Sequence, residues 1–205
     1  MKKQEPSMSN IAILLLAAGA SRRMGQAKQL MAWQDTSLVE HQIKTLLPTG
    51  ASIHIVLGAY AEKIRPLISD FSVTIYENPH WEKGMGTSLA FGVQHILKNT
   101  TNTAGILIAL VDQPLLKTSH FKTLIDTFTP NQRQIICSTS DKGWSGPPII
   151  FDRCYFEELM KQEGDHGAKN VTKKHKKAIT FLTLGSVLED VDTPQAFAKA
   201  ITRQF

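Results

Sequence analysis

Two short apolar runs constrain the fold most: Ile11–Leu16 reads I-A-I-L-L-L and Ile106–Val111 reads I-L-I-A-L-V. Neither shows the polar alternation of a half-exposed strand, and neither approaches membrane-spanning length. Such runs suit strands buried on both faces, as in a parallel sheet covered by helices. Further strand-like segments occupy 52–57, 72–76, 134–139, 147–151 and 179–183. Between them lie helical patterns at 37–47, 60–69, 86–98, 118–128, 152–162, 166–175 and 194–203. Strands alternating with amphipathic helices predict an α/β fold.

Local signals anchor several of these elements. Ser37-x-x-Glu40 is a capping box ahead of Leu38, Val39, Ile43, Leu46 and Leu47, and Pro48 follows where that helix should stop. Met85, Leu89, Val93, Ile96 and Leu97 share one helical face. Thr193-Pro194 has the form of an N-cap followed by proline at the first helical position. Residues 1–9 are polar and are expected to form a flexible extension. With 205 residues and no linker or repeat, residues 10–205 are expected to form one domain.

The run Ile11–Leu16 ends in small residues, and Arg22, Arg23, Gly25 and Lys28 follow closely. A buried strand feeding a small-residue loop brings backbone N–H groups near an anion, and the three cations add charge there. This points to a polyphosphate. A Walker A loop is excluded, because five residues separate Gly19 from Gly25 and Gln26 follows. A dinucleotide fingerprint is excluded by Ser21. A secretory signal is rejected, because Glu5 and Asn10 separate Lys2 and Lys3 from the apolar run.

Asp112 ends the second apolar run and precedes Gln113-Pro114. Ligands of parallel α/β sheets bind beyond the carboxyl ends of strands, so Asp112 and the loop after Leu16 should share one edge. Asp112 could hold a magnesium ion there, or simply initiate a turn. A second acidic cluster, Asp190-Val191-Asp192-Thr193, offers Asp192 or Asp190 as a second carboxylate. Asp192 or Thr193 could equally cap the last helix.

Composition removes other classes. The formal charge of +5 favours anionic ligands weakly. The basic run Lys173–Lys177 lacks interleaved aromatics and reads as a solvated helix end, so no nucleic-acid partner is expected. Cys137 and Cys154 form no metal-ligand spacing, which suggests a reduced, cytoplasmic protein.

Several motifs then resemble the MobA-like nucleotidyltransferases, nearest to the molybdenum cofactor cytidylyltransferase branch. The opening motif is L-A-A-G-A-S-R-R-M-G-Q-A-K, Leu16 to Lys28. Asn78 to Leu89 resembles the middle motif, and Val111-Asp112-Gln113-Pro114 resembles G-D-Q-P. Gly146-Pro147-Pro148 resembles G-x-P, Gly164 to Lys169 resembles G-D-x-G-A-R, and Asp190 to Pro194 resembles D-I-D-T-P.

The resemblance implies a Rossmann-like three-layer sandwich with a mostly parallel sheet, of the nucleotide-diphospho-sugar transferase type. It implies a nucleoside triphosphate, Mg²⁺ and release of pyrophosphate. Carried over by position, Ala17, Ala18 and Gly19 line the nucleotide, while Arg23 and Lys28 grip the triphosphate. Asn78, Gly84 and Ser88 lie near base or ribose. Asp112 and Asp192 hold the metal, and Arg23, Lys28 and Asp112 are the catalytic set. Ala18, where the guanylyl branch tends to carry glycine, favours CTP. The implied acceptor is a molybdopterin-type phosphate, with transient contact to molybdoenzyme maturation proteins and no membrane partner. Val111, Pro147 and Lys169 depart from the branch's usual Gly, His and Arg, and the last two leave the acceptor open. Another phosphorylated acceptor, GTP, or a non-catalytic nucleotide-binding module are the alternatives. His166 is open between acceptor contact and surface loop. Among Trp33, Trp81 and Trp144, Trp81 has the best case for stacking on a ring.

Overall fold

The computed structural model describes residues 10–203; the expected extension at 1–9 lies outside them. The apolar runs become the middle of a seven-stranded sheet. Its strands are β1 (Ile11–Ala17), β4 (Ser52–Leu57), β5 (Thr74–Glu77), β6 (Gly105–Leu110), β7 (Ile135–Thr139), β8 (Ser145–Asp152) and β9 (Ile179–Thr183). Two further strands, β2 (Ala32–Trp33) and β3 (Thr36–Ser37), form a small separate hairpin. The order in the large sheet is β5-β4-β1-β6-β8-β7-β9. Every pairing is parallel except those of β8, which runs antiparallel to both neighbours. Leu14 therefore sits between His54 on β4 and Ile108 on β6, at the molecular centre.

Helices cover both faces. On one lie α1 (Leu38–Leu46), α2 (Ala61–Ile68) and α4 (Thr118–Thr127), whose Ile43, Ile64 and Phe121 pack on Ile13, Leu15 and Leu107. On the other lie α3 (Met85–Asn99), α5 (Phe156–Leu159) and α6 (Lys169–Lys174), whose Val93, Phe156 and Val171 pack on Leu14 and Ile108. The last helix, α7 (Pro194–Thr202), stands apart on a satellite core of Trp33, Leu38 and Phe197. No helix among the described residues is long and apolar enough to cross a membrane.

The capping box at Ser37 forms in full, with Ser37 N–H donating to Glu40 at 2.9 Å. Two helices are shorter than their sequence patterns. Asp152 stays in β8 and accepts from Cys154 N–H, so 152–162 opens in a single tight turn and only Phe156–Leu159 is α-helical. Gly167 has φ of 52°, which interrupts 166–175 and delays α6 to Lys169. The β2–β3 hairpin, turning through Gln34 at φ 53°, lies where no strand was expected. Strand β6 ends at Leu110, so Val111 falls outside it, but its side chain is buried in the core.

Candidate active site

β1 delivers the opening loop to the carboxyl edge of the sheet, beside the end of β6. There the chain makes a tight, internally braced loop. Ser21 sits in the left-handed region at φ 52°, and its Oγ accepts from Lys28 N–H at 3.2 Å while donating to Gln29 Oε1 at 3.3 Å. Gln29 is buried, and its Nε2 donates to Ala17 O at 3.0 Å and Gly19 O at 2.8 Å. Tyr60 Oη donates to Ala20 O, and Ala59 N–H to Ala18 O, both at 3.1 Å. The loop carbonyls are thereby turned inward. The N–H groups of Gly19, Ala20, Ser21 and Arg22 donate to no acceptor among the described residues, and a Cβ added at Gly19 would meet open space. Free N–H donors beneath open space are what a phosphate chain requires.

Three segments distant in sequence converge beside this loop. Lys28 Nζ donates to Asp112 Oδ2 at 2.5 Å and to Asp192 Oδ1 at 2.6 Å. Arg23 Nη2 donates to Asp192 Oδ2 at 2.7 Å. The lysine and Asp112 side chains are only 12% and 15% exposed, whereas Arg23 is 75% exposed. Burial alone would push the Lys28 pKa down. The Asp112 charge and the bonds to both carboxylates outweigh it, so the net shift is upward and the ammonium is secured. Burial would raise Asp192, but Lys28 and Arg23 hold it below the usual carboxylate range. Asp112 Oδ1 is buried and accepts no hydrogen bond from the described residues.

Asp190 and Asp192 take different tasks. Asp190 Oδ1 accepts from Gln113 Nε2 at 3.0 Å, and the same nitrogen lies 2.9 Å from Pro147 O. Gln113 thus ties the end of β6 to the start of β8 and to the acidic segment. Burial, then the charge of Asp112, pushes the Asp190 carboxyl up to about 6. Thr193 caps α7, its Oγ1 accepting from Ala196 N–H at 3.1 Å, which leaves Asp192 free for the cations.

A cavity of about 470 Å³ opens over this cluster. Of the expected site residues, Ala17, Ala18, Gly19, Arg23, Lys28, Gly84, Ser88 and Asp112 line it. Asn78 does not: it is buried, donates to Ser88 Oγ at 3.0 Å and accepts from His80 N–H at 2.9 Å. It positions Ser88 and the turn before α3. Asp192 reaches the cavity only through its cation partners. Trp81 and Asp165 complete the wall, where Gly84 lies so close to Gly164 that a side chain there would strike its backbone. Trp33 is core, and His166 and Lys169 are exposed. Trp144 stands 39% exposed on the β7–β8 hairpin at the same sheet edge, over Gly146 and beside Pro147. A larger cavity of about 680 Å³ between α1 and residues 114–118 contains none of the expected site residues.

Sequence reasoning did not find Gln29, Gln113 or Tyr60. Gln113 stands inside the Val111–Pro114 motif and Gln29 directly follows the motif that ends at Lys28, which are the signals that pointed their way.

The profile of the MobA-like NTP transferase domain matches residues 13–179. The chain belongs to the MobA-like NTP transferase family. Among curated relatives of this MobA-like chain are the purine catabolism protein PucB of Bacillus subtilis, 28% identical over 90% of this chain and 92% of that one. The nicotine blue oxidoreductase of Paenarthrobacter nicotinovorans is 30% identical over 88% and 91%. The molybdenum cofactor cytidylyltransferase of Escherichia coli is 24% identical over 96% and 98%. Rv0371c of Mycobacterium tuberculosis shares the fold, with a TM-score of 0.84 at 24% identity over 95% and 98% of the two chains. A manganese complex of Rv0371c superimposes with a TM-score of 0.78 at 21% identity over 94% and 98%. As a member of this family the protein is a nucleotidyltransferase, and its fold is that of the nucleotide-diphospho-sugar transferases.

Proposed function

We propose that this nucleotidyltransferase moves CMP from CTP to the phosphate of a molybdopterin-type acceptor, with Mg²⁺, in the cytoplasm. The observation that carries the reading is the charge cluster of Lys28, Arg23, Asp112 and Asp192 beside the free N–H groups of Gly19–Arg22. Ala18 in the first loop and the Escherichia coli relative support CTP and the molybdenum cofactor.

The residues fit a divalent ion. Asp112 Oδ1 is a buried oxygen without a donor, and Asp192 lies across Lys28 from it. Among the described residues no group of three or more His, Cys, Asp or Glu gathers as a ready-made metal cage. Magnesium suits such a place, since it takes one or two carboxylates and fills its shell with phosphate oxygens and water. When bound it would neutralise charge on the phosphates. The chain's own groups do the rest. The N–H groups of the loop and the Lys28 and Arg23 cations hold the triphosphate in line. An acceptor phosphate oxygen attacks the α-phosphorus, the bond to the β-phosphate oxygen breaks, and pyrophosphate leaves with its charge matched by Lys28 and Arg23. A phosphate acceptor is already anionic at neutral pH, so the step needs no general base. Catalysis is positioning and preorganised charge.

The acceptor side is where this chain departs from the branch, at Pro147 and Lys169. A different phosphorylated acceptor is therefore the second reading, in keeping with relatives named for purine catabolism and for nicotine blue. The deciding experiment offers each NTP with Mg²⁺ and molybdopterin, or its molybdenum-loaded form, and measures pyrophosphate and dinucleotide. CTP-selective dinucleotide is the expected result. No product with any NTP would refute the molybdopterin acceptor, and product equal with GTP would refute the base preference.

A further inference from the structure

The position between Asp112 and Asp192 is filled by the protein itself. Lys28 Nζ bonds both carboxylates, and Arg23 takes the second oxygen of Asp192. Of the four oxygens of Asp112 and Asp192, only Asp112 Oδ1 has no partner among the described residues. The two carboxylates are thus balanced by two cations. A divalent ion entering this cluster alone would meet an ammonium at contact distance from both ligands and leave an excess of positive charge in a half-buried place, even with neighbouring Asp190 ionised. Coulomb repulsion of that kind is strong where water is scarce. A triphosphate reverses the balance, because it brings several negative charges and offers Lys28 and Arg23 better partners. Lysine suits this exchange: its charge rides on a flexible stem. Arg23 is largely exposed and, among the described residues, fastened only to Asp192, so it is equally free to turn.

We propose that Lys28 is an internal counter-cation that keeps the divalent ion out until a nucleotide draws the ammonium onto its phosphates. The ion and the nucleotide then bind as a coupled pair, and by linkage each raises the affinity of the other by the same factor. This rests on the nucleotidyl-transfer reading for the identity of the triphosphate, though the Lys28 exclusion itself does not.

Mn²⁺ serves as the probe, the free ion being counted by electron paramagnetic resonance on the full chain. Wild type alone is expected to bind Mn²⁺ weakly. Lys28→Met should bind it about tenfold more tightly or better without nucleotide, as one repelling charge is removed. Lys28→Arg, which keeps the cation, should stay as weak as wild type. A non-hydrolysable CTP analogue should raise wild-type ion binding well above a protein-free nucleotide control. Tight Mn²⁺ binding by wild type alone overturns the proposal whatever the variants do. So does a Lys28→Met protein of native circular dichroism that gains nothing, or a Lys28→Arg protein that gains as much as Lys28→Met. A gain in Lys28→Met with no effect of the CTP analogue on wild type supports the exclusion and counts against the CTP reading, so the two failures are told apart.

Discussion

Asp190→Asn should stabilise this protein at neutral pH. Asp190 is largely buried, and its carboxyl is raised from 3.8 to about 6 by that burial and by the charge of Asp112. The sign follows from proton linkage. Between these two values the folded protein holds a proton that the unfolded chain has released. The carboxyl therefore contributes most stability below pH 4 and loses it as pH rises through 6. At pH 7.5 the ionised, buried group represents a cost of about 3 kcal/mol. Asparagine removes that charge and keeps an oxygen for Gln113 Nε2 at 3.0 Å. Its new N–H₂ needs a partner, which offsets about 1 kcal/mol. The net gain should be about 1–3 kcal/mol, or a rise in Tm of about 3–10 °C for a domain of this size. Melting curves of both proteins from about pH 4 to 8 provide the test, with the variant's advantage shrinking as carboxyl protonation sets in. A gap that does not change with pH, or a wild type more stable at pH 7.5, would refute the reasoning.

Lys28→Ala should lower kcat by about a hundred- to a thousandfold, the usual effect of deleting one preorganised electrostatic contact; steady-state pyrophosphate release measures it. Gln29→Leu strands the carbonyls of Ala17 and Gly19 and should cost about 1–3 kcal/mol in a urea titration, with nucleotide KM rising as the loop loosens. Trp144→Ala should raise the KM for a flat, ring-bearing acceptor and leave that for the nucleotide unchanged. Equal changes in both would refute a role for Trp144 in acceptor binding.

The centre of the sheet was readable because β1, β4 and β6 are Ile- and Leu-dense runs that only a two-sided core accepts. The short hairpin at 32–37 was not, since two-residue strands carry no periodicity. Helix ends at 152–162 and 166–175 were misjudged where a single residue decided: Asp152 stays in the strand, and Gly167 leaves helical space. In the site, charged residues were legible one by one, as Lys28, Asp112 and Asp192 each stand in a recognisable motif. Their mutual contact was not, because the partners lie 84 and 164 positions apart. The alternation of Asp190 and Asp192 suggested interchangeable ligands. The fold separates them, giving one to Gln113 and the other to two cations.

That separation explains why a strained acidic residue is tolerated here. Lys28 and Arg23 bind the loop after β1 to the segment before α7, and Gln113 binds both β8 and Asp190 to the end of β6. The cluster is a polar seam joining four parts of the chain. If a triphosphate takes the two cations, the seam loses its Lys28 and Arg23 ion pairs at the moment the carboxylates are exposed to one another. Repulsion among Asp112, Asp190 and Asp192 then grows, and a divalent ion becomes the cheapest way to remove it. On the proposed exchange, nucleotide entry, loss of the lysine bridge and gain of the metal would be three aspects of one charge balance. Removing Asp190's charge should weaken the pull on the metal as it strengthens the fold, so stability and metal affinity are expected to move in opposite directions at this residue.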